Sequence, residues 1–152
     1  MKTLKPLLFI LVIVTIAFSC KKDSKKTNND YLIDKYWIQT GLTVDPPILI
    51  GGTSITDVWS QVPTCQQDDL QKFSNGGVYT SDEGASKCSP NDPQTTTGTW
   101  SFNSDQTILS ITKNNQTVSY TIVELTGSTA KLKYSAVQNQ IMYTYTITAV
   151  PK

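Results

Sequence analysis

From residue 35 onward, the sequence consists of short β-branched and apolar runs separated by clusters of Asn, Gly, Asp, Ser and Pro. In several runs, apolar residues alternate with lysine or threonine, most clearly over residues 130–136 and 141–150. Such alternation places one apolar face and one polar face on a strand. No stretch of this region shows a long helical period. The pattern therefore predicts an all-β domain.

The boundaries of these runs predict eight strands. They cover residues 35–44, 70–74, 78–81, 98–102, 108–112, 118–125, 130–136 and 141–150. Asn-Gly-Gly at residues 75–77 predicts a hairpin, because Asn-Gly suits the positive φ angles of a tight turn. Asp-Pro-Pro at residues 45–47 is expected to end the first strand, since proline fixes φ and lacks a backbone donor. Residues 54–61 admit one or two helical turns capped by Ser54 or Thr56.

Short turns join the last five or six strands, so we expect these strands to be antiparallel neighbours. The sequence predicts an eight-stranded antiparallel up-and-down barrel over residues 34–152. A two-sheet β-sandwich is the alternative architecture. The consecutive short turns favour the barrel, because a sandwich needs Greek-key crossings.

The N-terminal segment resembles the signal of a bacterial lipoprotein. A short basic start precedes an apolar run over residues 7–18, too short to span a bilayer, which needs about 20 residues. The run ends in Ala-Phe-Ser-Cys at residues 17–20, similar to a relaxed lipobox. The resemblance implies that residues 1–19 are removed and that Cys20 is acylated, for example with palmitate. The alternative is an ordinary secretory signal with an incidental cysteine.

Residues 20–33 are predicted to be a flexible tether. Residues 21–30 contain no aliphatic or aromatic side chain, so burial cannot offset the entropy lost on ordering. The four lysines of this segment favour anionic head groups beside the lipid. Lys21 follows the cysteine in place of the aspartate that marks inner-membrane retention in enterobacteria. We therefore expect a lipoprotein of the cell envelope, in the outer membrane, with the periplasmic or surface face left open.

Charge and composition exclude several classes of function. Removal of the signal leaves 11 lysines against 12 acids, so no basic excess favours nucleic acid. The sequence has no histidine, and all 13 basic residues are lysine. Without histidine there is no Ser-His or Cys-His catalysis and no imidazole metal ligand. We expect a protein that is not an enzyme and uses no metal or cofactor.

Cys65 and Cys88 are either a disulfide or a pair of thiols. An exported compartment favours the disulfide. Asp68 follows Cys65 closely, and we expect it to cap a turn there rather than to bind calcium, which would need further oxygen ligands.

Several spaced features resemble the lipocalin-like domain of Bacteroidetes lipoproteins. They are Trp37, Cys65, Asp68-Asp69, Phe73, the hairpin Asn75-Gly76-Gly77-Val78-Tyr79, Cys88, Gly98-Thr99-Trp100, and Leu109 with Ile111. The resemblance covers most of residues 31–150 and implies an eight-stranded up-and-down barrel with a short helix early in the domain. It brings no catalytic residues. The Gly-x-Trp lies in mid-chain rather than on the first strand as in true lipocalins, so ligand contacts of true lipocalins do not carry over.

Aromatic residues are the positive lead toward function. An eight-stranded barrel is just wide enough to be filled by side chains or to hold one small ligand. The candidate interior contacts to a ligand are Trp37, Trp100, Tyr120, Tyr134, Tyr143 and Tyr145. Two functions stay open: a membrane-tethered barrel that binds a small apolar or amphipathic ligand, and a non-catalytic structural or interaction protein of the outer membrane. The second would act through a strand edge or through residues 45–64 and 82–97.

Overall fold

Residues 25–152 are described by the structure, which is a computed structural model. They form nine strands, two short α-helices and one 3-10 turn. The strands are β1 (Tyr36–Ile50), β2 (Thr53–Asp57), β3 (Leu70–Ser74), β4 (Val78–Asp82), β5 (Thr95–Phe102), β6 (Ile108–Lys113), β7 (Gln116–Leu125), β8 (Ala130–Gln138) and β9 (Ile141–Pro151). The helices are α1 (Asn28–Leu32) and α2 (Thr64–Gln67), and the 3-10 turn covers Trp59–Gln61. Cys20 and the predicted signal lie outside the described residues.

Strand β1 closes the sheet into a barrel, because it pairs with β3 on one side and with β9 on the other. From β3 to β9, each strand is antiparallel to the next in chain order. These eight strands form the ring, and β2 lies outside it, paired with the far half of β1. The predicted eight-stranded antiparallel up-and-down barrel is confirmed. The sandwich is wrong, since one continuous sheet closes on itself.

The prediction that Asp-Pro-Pro ends the first strand is wrong. Strand β1 runs through residues 45–47 to Ile50 and turns at Gly51-Gly52 into β2. The β1–β2 ladder is interrupted between Thr43 and Ile48, so the prolines, which lack donors, lie where that ladder is broken. The sequence rule failed because an interrupted ladder tolerates proline.

The predicted helical turns over residues 54–61 are wrong for the first half of that range. Residues 53–57 pair with the end of β1, as the β-branched Thr53, Ile55 and Thr56 favour. Only Trp59–Gln61 forms a 3-10 turn. The Asp57 carboxylate, rather than Ser54 or Thr56, accepts from the Trp59 backbone N–H at 3.0 Å.

Tight turns set the register of the barrel as predicted. Around residues 75–77, Phe73 pairs with Tyr79 and Ser74 with Val78, and both Gly76 and Gly77 have positive φ. The β6–β7 turn at Asn114-Asn115 and the β8–β9 turn at Asn139-Gln140 also have two residues with positive φ. Such turns match the twist of antiparallel strands.

Helix α1 covers one end of the barrel, which we call the closed end. Three turns meet it or the residues that follow it: the Asn28 side chain donates to the Gln106 carbonyl at 2.8 Å, Asn75 donates to Asp34, and Lys35 donates to the Gly127 carbonyl. The side chain of Leu32 is 1% exposed and belongs to the core cluster with Trp37, Phe73, Trp100 and Leu109. Leu32 therefore seals the barrel interior from this side.

The tether predicted for residues 20–33 is therefore too long. Thr27 caps α1 in a reciprocal arrangement with Asp30, and the apolar Tyr31-Leu32-Ile33 that follows packs onto the core. The Thr-x-x-Asp capping signal at residues 27–30 indicates this helix start, although residues 21–30 contain no apolar side chain.

The predicted disulfide between Cys65 and Cys88 is confirmed, with the two Cα atoms 5.2 Å apart. It joins α2 to the 83–94 loop at the end of the barrel opposite α1, which we call the rim. Asp68 accepts from the backbone N–H groups of Ala85 and Ser86, each at 2.8 Å, so it caps this loop rather than a turn after Cys65. Gly84 has φ +68°, and a Cβ there would collide with the Asp68 backbone. Disulfide, cap and glycine together fix the loop against α2.

Replacing both cysteines by serine is expected to lower the free energy of unfolding by about 3 kcal/mol, because the bridge restricts a loop with a sequence separation of 23 in the unfolded chain. Urea unfolding of the double variant and of the oxidised protein measures the difference. The protein with its disulfide reduced is the control and should match the double variant. A loss below about 0.5 kcal/mol would contradict the assignment of a structural role.

Candidate functional site

The barrel interior is not completely filled beyond Leu32. A cavity of about 360 Å³ extends from the core toward the β6–β7 turn. Its lining residues are Leu32, Trp37, Gln39, Gln71, Phe73, Tyr79, Ile111, Lys113, Asn114, Gln116, Val118, Tyr120, Ala130, Leu132, Ile147 and Ala149. Asn114 and Gln116 are exposed to solvent, so the cavity reaches the rim at this turn. Its volume is near the lower end of the range typical of small-molecule pockets, about 300–1,000 Å³.

The part of the cavity nearest α1 is apolar. Leu32, Trp37, Phe73 and Leu132 are buried there and belong to one core cluster. The indole N–H of Trp37 donates to the Leu32 carbonyl at 2.9 Å, so the polar atom of the tryptophan is satisfied within the protein. This end of the cavity therefore presents hydrocarbon and aromatic surface to a ligand.

Polar side chains line the part of the cavity nearer the rim. Gln71 lies two residues before Phe73 on β3, on the same inward face, and Tyr120 is inward on β7. Among residues 25–152, neither the Gln71 amide nor the Tyr120 hydroxyl makes a side-chain hydrogen bond. Burial raises the pKa of Tyr120 to about 12, so this hydroxyl remains a donor at physiological pH. Uncommitted polar groups beside an apolar cavity are suited to orienting a ligand.

Two of the six predicted ligand contacts line the cavity, Trp37 and Tyr120. Trp100 packs against the β3–β4 hairpin instead: its indole N–H donates to the Ser74 carbonyl at 3.0 Å, and its ring makes an edge contact with Phe73.

Tyr134, Tyr143 and Tyr145 do not line the cavity either. The rings of Tyr134 and Tyr145 stack with centroids 5.0 Å apart, and Tyr120 meets Tyr134 edge-on at 5.6 Å. The Tyr145 hydroxyl accepts from Gln138 at 3.3 Å. Tyr134 and Tyr145 fill part of the interior and leave Tyr120 at the edge of the open space.

The polar lining residues Gln39, Gln71 and Lys113 were not predicted from the sequence. Each lies two residues from an inward apolar residue, namely Trp37, Phe73 and Ile111. Because the strand period is two, this spacing alone could have placed them inside the barrel. The ligand contacts predicted from the sequence are all aromatic and include none of these polar inward residues.

An acidic side chain with a buried oxygen that lacks a hydrogen-bond partner among the residues described lies close to this site at the rim. Asp69 precedes β3, its side chain is half-buried, and its Oδ1 atom is shielded from solvent without a hydrogen-bond partner in residues 25–152. Burial, followed by the charges of Glu83 and Asp68, raises the pKa of Asp69 to about 6, while the nearby Lys113 ammonium opposes the shift. Within residues 25–152, no group of three or more acidic, cysteine or histidine side chains is arranged to hold a metal ion.

Replacing Asp69 by asparagine is expected to stabilise the protein at pH 7–8. A carboxyl whose pKa is higher in the folded than in the unfolded chain loses its contribution to stability as the pH rises through about 6. Asparagine removes that loss, worth at most about 1 kcal/mol because much of the group is screened by solvent. Thermal unfolding between pH 4 and pH 8 should show a gain that grows from about pH 4 and levels off above about pH 6, because these are the pKa values of the unfolded and the folded state.

Asp92→Asn, in the exposed 83–94 loop, is the matched control and should change stability little at either pH. An equal effect of Asp69→Asn at pH 4 and pH 8 would contradict the linkage to Asp69 ionisation.

A small antiparallel barrel that is covered at one end and hollow toward the other belongs to the class of β-barrels that can enclose one small molecule. The family described as Lipocalin-like domain matches residues 33–132, which is more than half of the chain. The chain therefore belongs to the lipocalin-like domain family. The matched region includes both disulfide cysteines, the β3–β4 hairpin and Gly98-Thr99-Trp100, and β9 lies beyond it. The comparison with curated proteins found no match.

No helix within residues 25–152 combines the length and the apolar character needed to cross a membrane.

Proposed function

We propose that this protein binds one small, largely apolar molecule inside its barrel while a lipid on Cys20 holds it at a membrane. The cavity of about 360 Å³ carries the first part of the proposal. A fully packed barrel of this size would have no such space. The apolar end favours burial of a hydrophobic group, and the polar end keeps the other part of the ligand near water.

Filling the cavity should abolish binding. Ala149 lines the cavity, and in Ala149→Trp the added ring would occupy the space that a ligand needs. The neutral fluorophore N-phenyl-1-naphthylamine should bind the native protein with increased emission, and the variant should bind at least about tenfold more weakly. Fluorescence titration measures both affinities, and circular dichroism verifies that the variant is folded.

Ser119→Trp is the control. Ser119 is exposed on β7 beside the inward Tyr120, so this substitution adds the same side chain outside the barrel. It should keep native affinity. Equal affinities of the two variants would show that the probe binds elsewhere and would refute the cavity as the binding site.

The membrane anchor is supported by the lipobox-like residues 17–20 and by the direction in which the chain enters the barrel. Residues 25–27 lead directly into α1, which covers the closed end, so an anchor upstream of them would be attached at the end opposite the rim. The mouth of the cavity would then be free to exchange ligand. We extend the proposal to the outer membrane, on the basis that Lys21 rather than aspartate follows Cys20.

The anchor is tested with Cys20→Ser in the cell that makes the protein. The native protein should be recovered with the outer membrane on a density gradient and should carry radiolabel from palmitate. The variant should lose the label and leave the membrane fraction, because it lacks the acyl chains that anchor the chain. Cys65→Ser is the control for loss of a thiol and should stay lipidated. An unlabelled native protein would refute the anchor.

A second candidate function is protein interaction at the rim, favoured by exposed apolar side chains on two neighbouring hairpin tips. Leu49 is 75% exposed on the β1–β2 tip, and Val137 and Met142 are 65% and 64% exposed on the β8–β9 tip. A role of this kind would survive in Ala149→Trp, which leaves both tips unchanged, whereas a ligand-carrying role would not. Neither candidate includes a chemical step, in keeping with a sequence that has no histidine or arginine.

A further inference from the structure

Lys113 is the one charged side chain that lines the cavity within residues 25–152. It follows Leu109 and Ile111 on the inward face of β6, at the last position before the Asn114-Asn115 turn. Its side chain is half-buried. In the described part of the chain, its ammonium forms no side-chain hydrogen bond and no ion pair within 4.0 Å. A cation in this position borders both the apolar interior and the solvent.

The side chains around Lys113 supply further hydrogen-bonding groups. Asn114 and Gln116 line the cavity beside it on the turn, and Gln39 and Gln71 line it from β1 and β3. Amide groups can donate to the oxygens of a ligand head group but carry no charge. Because Lys113 is the charged lining residue, the lining of the cavity favours a negatively charged group on the ligand.

Acidic residues at the rim do not line the cavity, but one of them, Asp69, lies near Lys113. Asp69 is near enough for the ammonium to lower its pKa, and Asp68, Asp82 and Glu83 lie around Asp69. These acids favour a cation outside the mouth, whereas Lys113 favours an anion inside it. Lys113 prevails for a ligand in the cavity, because interactions between charges strengthen with burial and the acids are not part of the lining.

We propose that the ligand is an amphiphile with one anionic head group, a carboxylate attached to a hydrocarbon chain, held head-out with its head group on Lys113. This inference rests on the proposed function and names its ligand class. The chain would lie against Trp37, Phe73 and Leu132, where the lining is apolar. The carboxylate would accept from the Lys113 ammonium and from neighbouring amides, and would remain at the wet end of the cavity. No covalent step is involved.

Three probes of equal chain length separate the head-group charges. Decanoate, decanol and decylamine are each used to displace N-phenyl-1-naphthylamine at pH 7.5, below their micelle concentrations. Decanoate should bind about tenfold or more tightly than decanol, as expected for a charge-assisted hydrogen bond in a partly buried site. Decylamine should bind no better than decanol. Preference for decylamine would overturn the inference and show that the acids at the rim determine which head-group charge is preferred.

Variants of Lys113 test whether this residue is responsible. Lys113→Met keeps most of the unbranched apolar stem and removes the ammonium, and it should weaken decanoate about tenfold or more while leaving decanol within about twofold. Lys113→Arg should retain the preference for decanoate. Lys133→Met, on the exposed outer face of β8, is the matched control and should bind like the native protein. An unchanged decanoate affinity in Lys113→Met would overturn the inference.

The neutral fluorophore separates failure of this inference from failure of the proposed function. If the fluorophore binds, is blocked by Ala149→Trp, and decanoate shows no advantage over decanol, the cavity binds ligand but the anionic class is wrong. If the fluorophore and all three probes fail to bind the native protein, both proposals are refuted.

Discussion

Pairing of β1 with both β3 and β9 is the interaction on which the rest of the structure depends. It turns a meander of strands into a ring, and a ring has an interior that water reaches only through its ends. The ladder between β1 and β9 is long: it continues past an irregularity between Gln39 and Gly41 and reaches Asp45. A break in this strand would expose two sheet edges and the core at once, and edges of that kind are prone to pairing with other chains.

Once the ring is closed, its two ends differ in how they are covered. At the closed end, α1 brings Leu32 into the core, and its connections to the neighbouring turns satisfy the polar groups of a short helix. At the rim, the disulfide and the Asp68 cap hold a long loop to α2 without placing an apolar residue in the interior. Side chains therefore fill the interior at the closed end, whereas the loop and α2 border the rim without filling it. For this reason the cavity lies toward the rim.

Much of this architecture was predictable because its signals are local. The β3–β4 hairpin follows from Asn-Gly-Gly at residues 75–77, where the two glycines adopt positive φ. The strands from β5 to β9 follow from alternation and from two-residue or other short turns. The errors arose where tertiary structure overrides local preference. The prolines at residues 46 and 47 lie in β1 because a ladder is interrupted there, and α1 is stable because the barrel provides a surface for Leu32.

The site was harder to predict than the fold, because a cavity is defined by what does not fill it. Trp37 and Tyr120 are inward and border open space, but alternation gave the same inward assignment to Tyr134 and Tyr145, which do not line the cavity. Whether two inward rings leave a gap or close one depends on their mutual packing across strands, and a single sequence does not determine that packing.

The stacked tyrosines Tyr134 and Tyr145 determine where the cavity opens to solvent. Val44, Tyr145 and Tyr134 are neighbours in register across β1, β9 and β8, and together they occupy the rim half of that side of the barrel. The remaining space is displaced toward β6 and β7, where the inward residues near the rim are Lys113 and Val118. Aromatic packing on one wall thus determines which polar residue stands at the opening on the opposite wall. The aromatic residues shape the site mainly through the space they leave to Lys113, and only secondarily through contacts of their own.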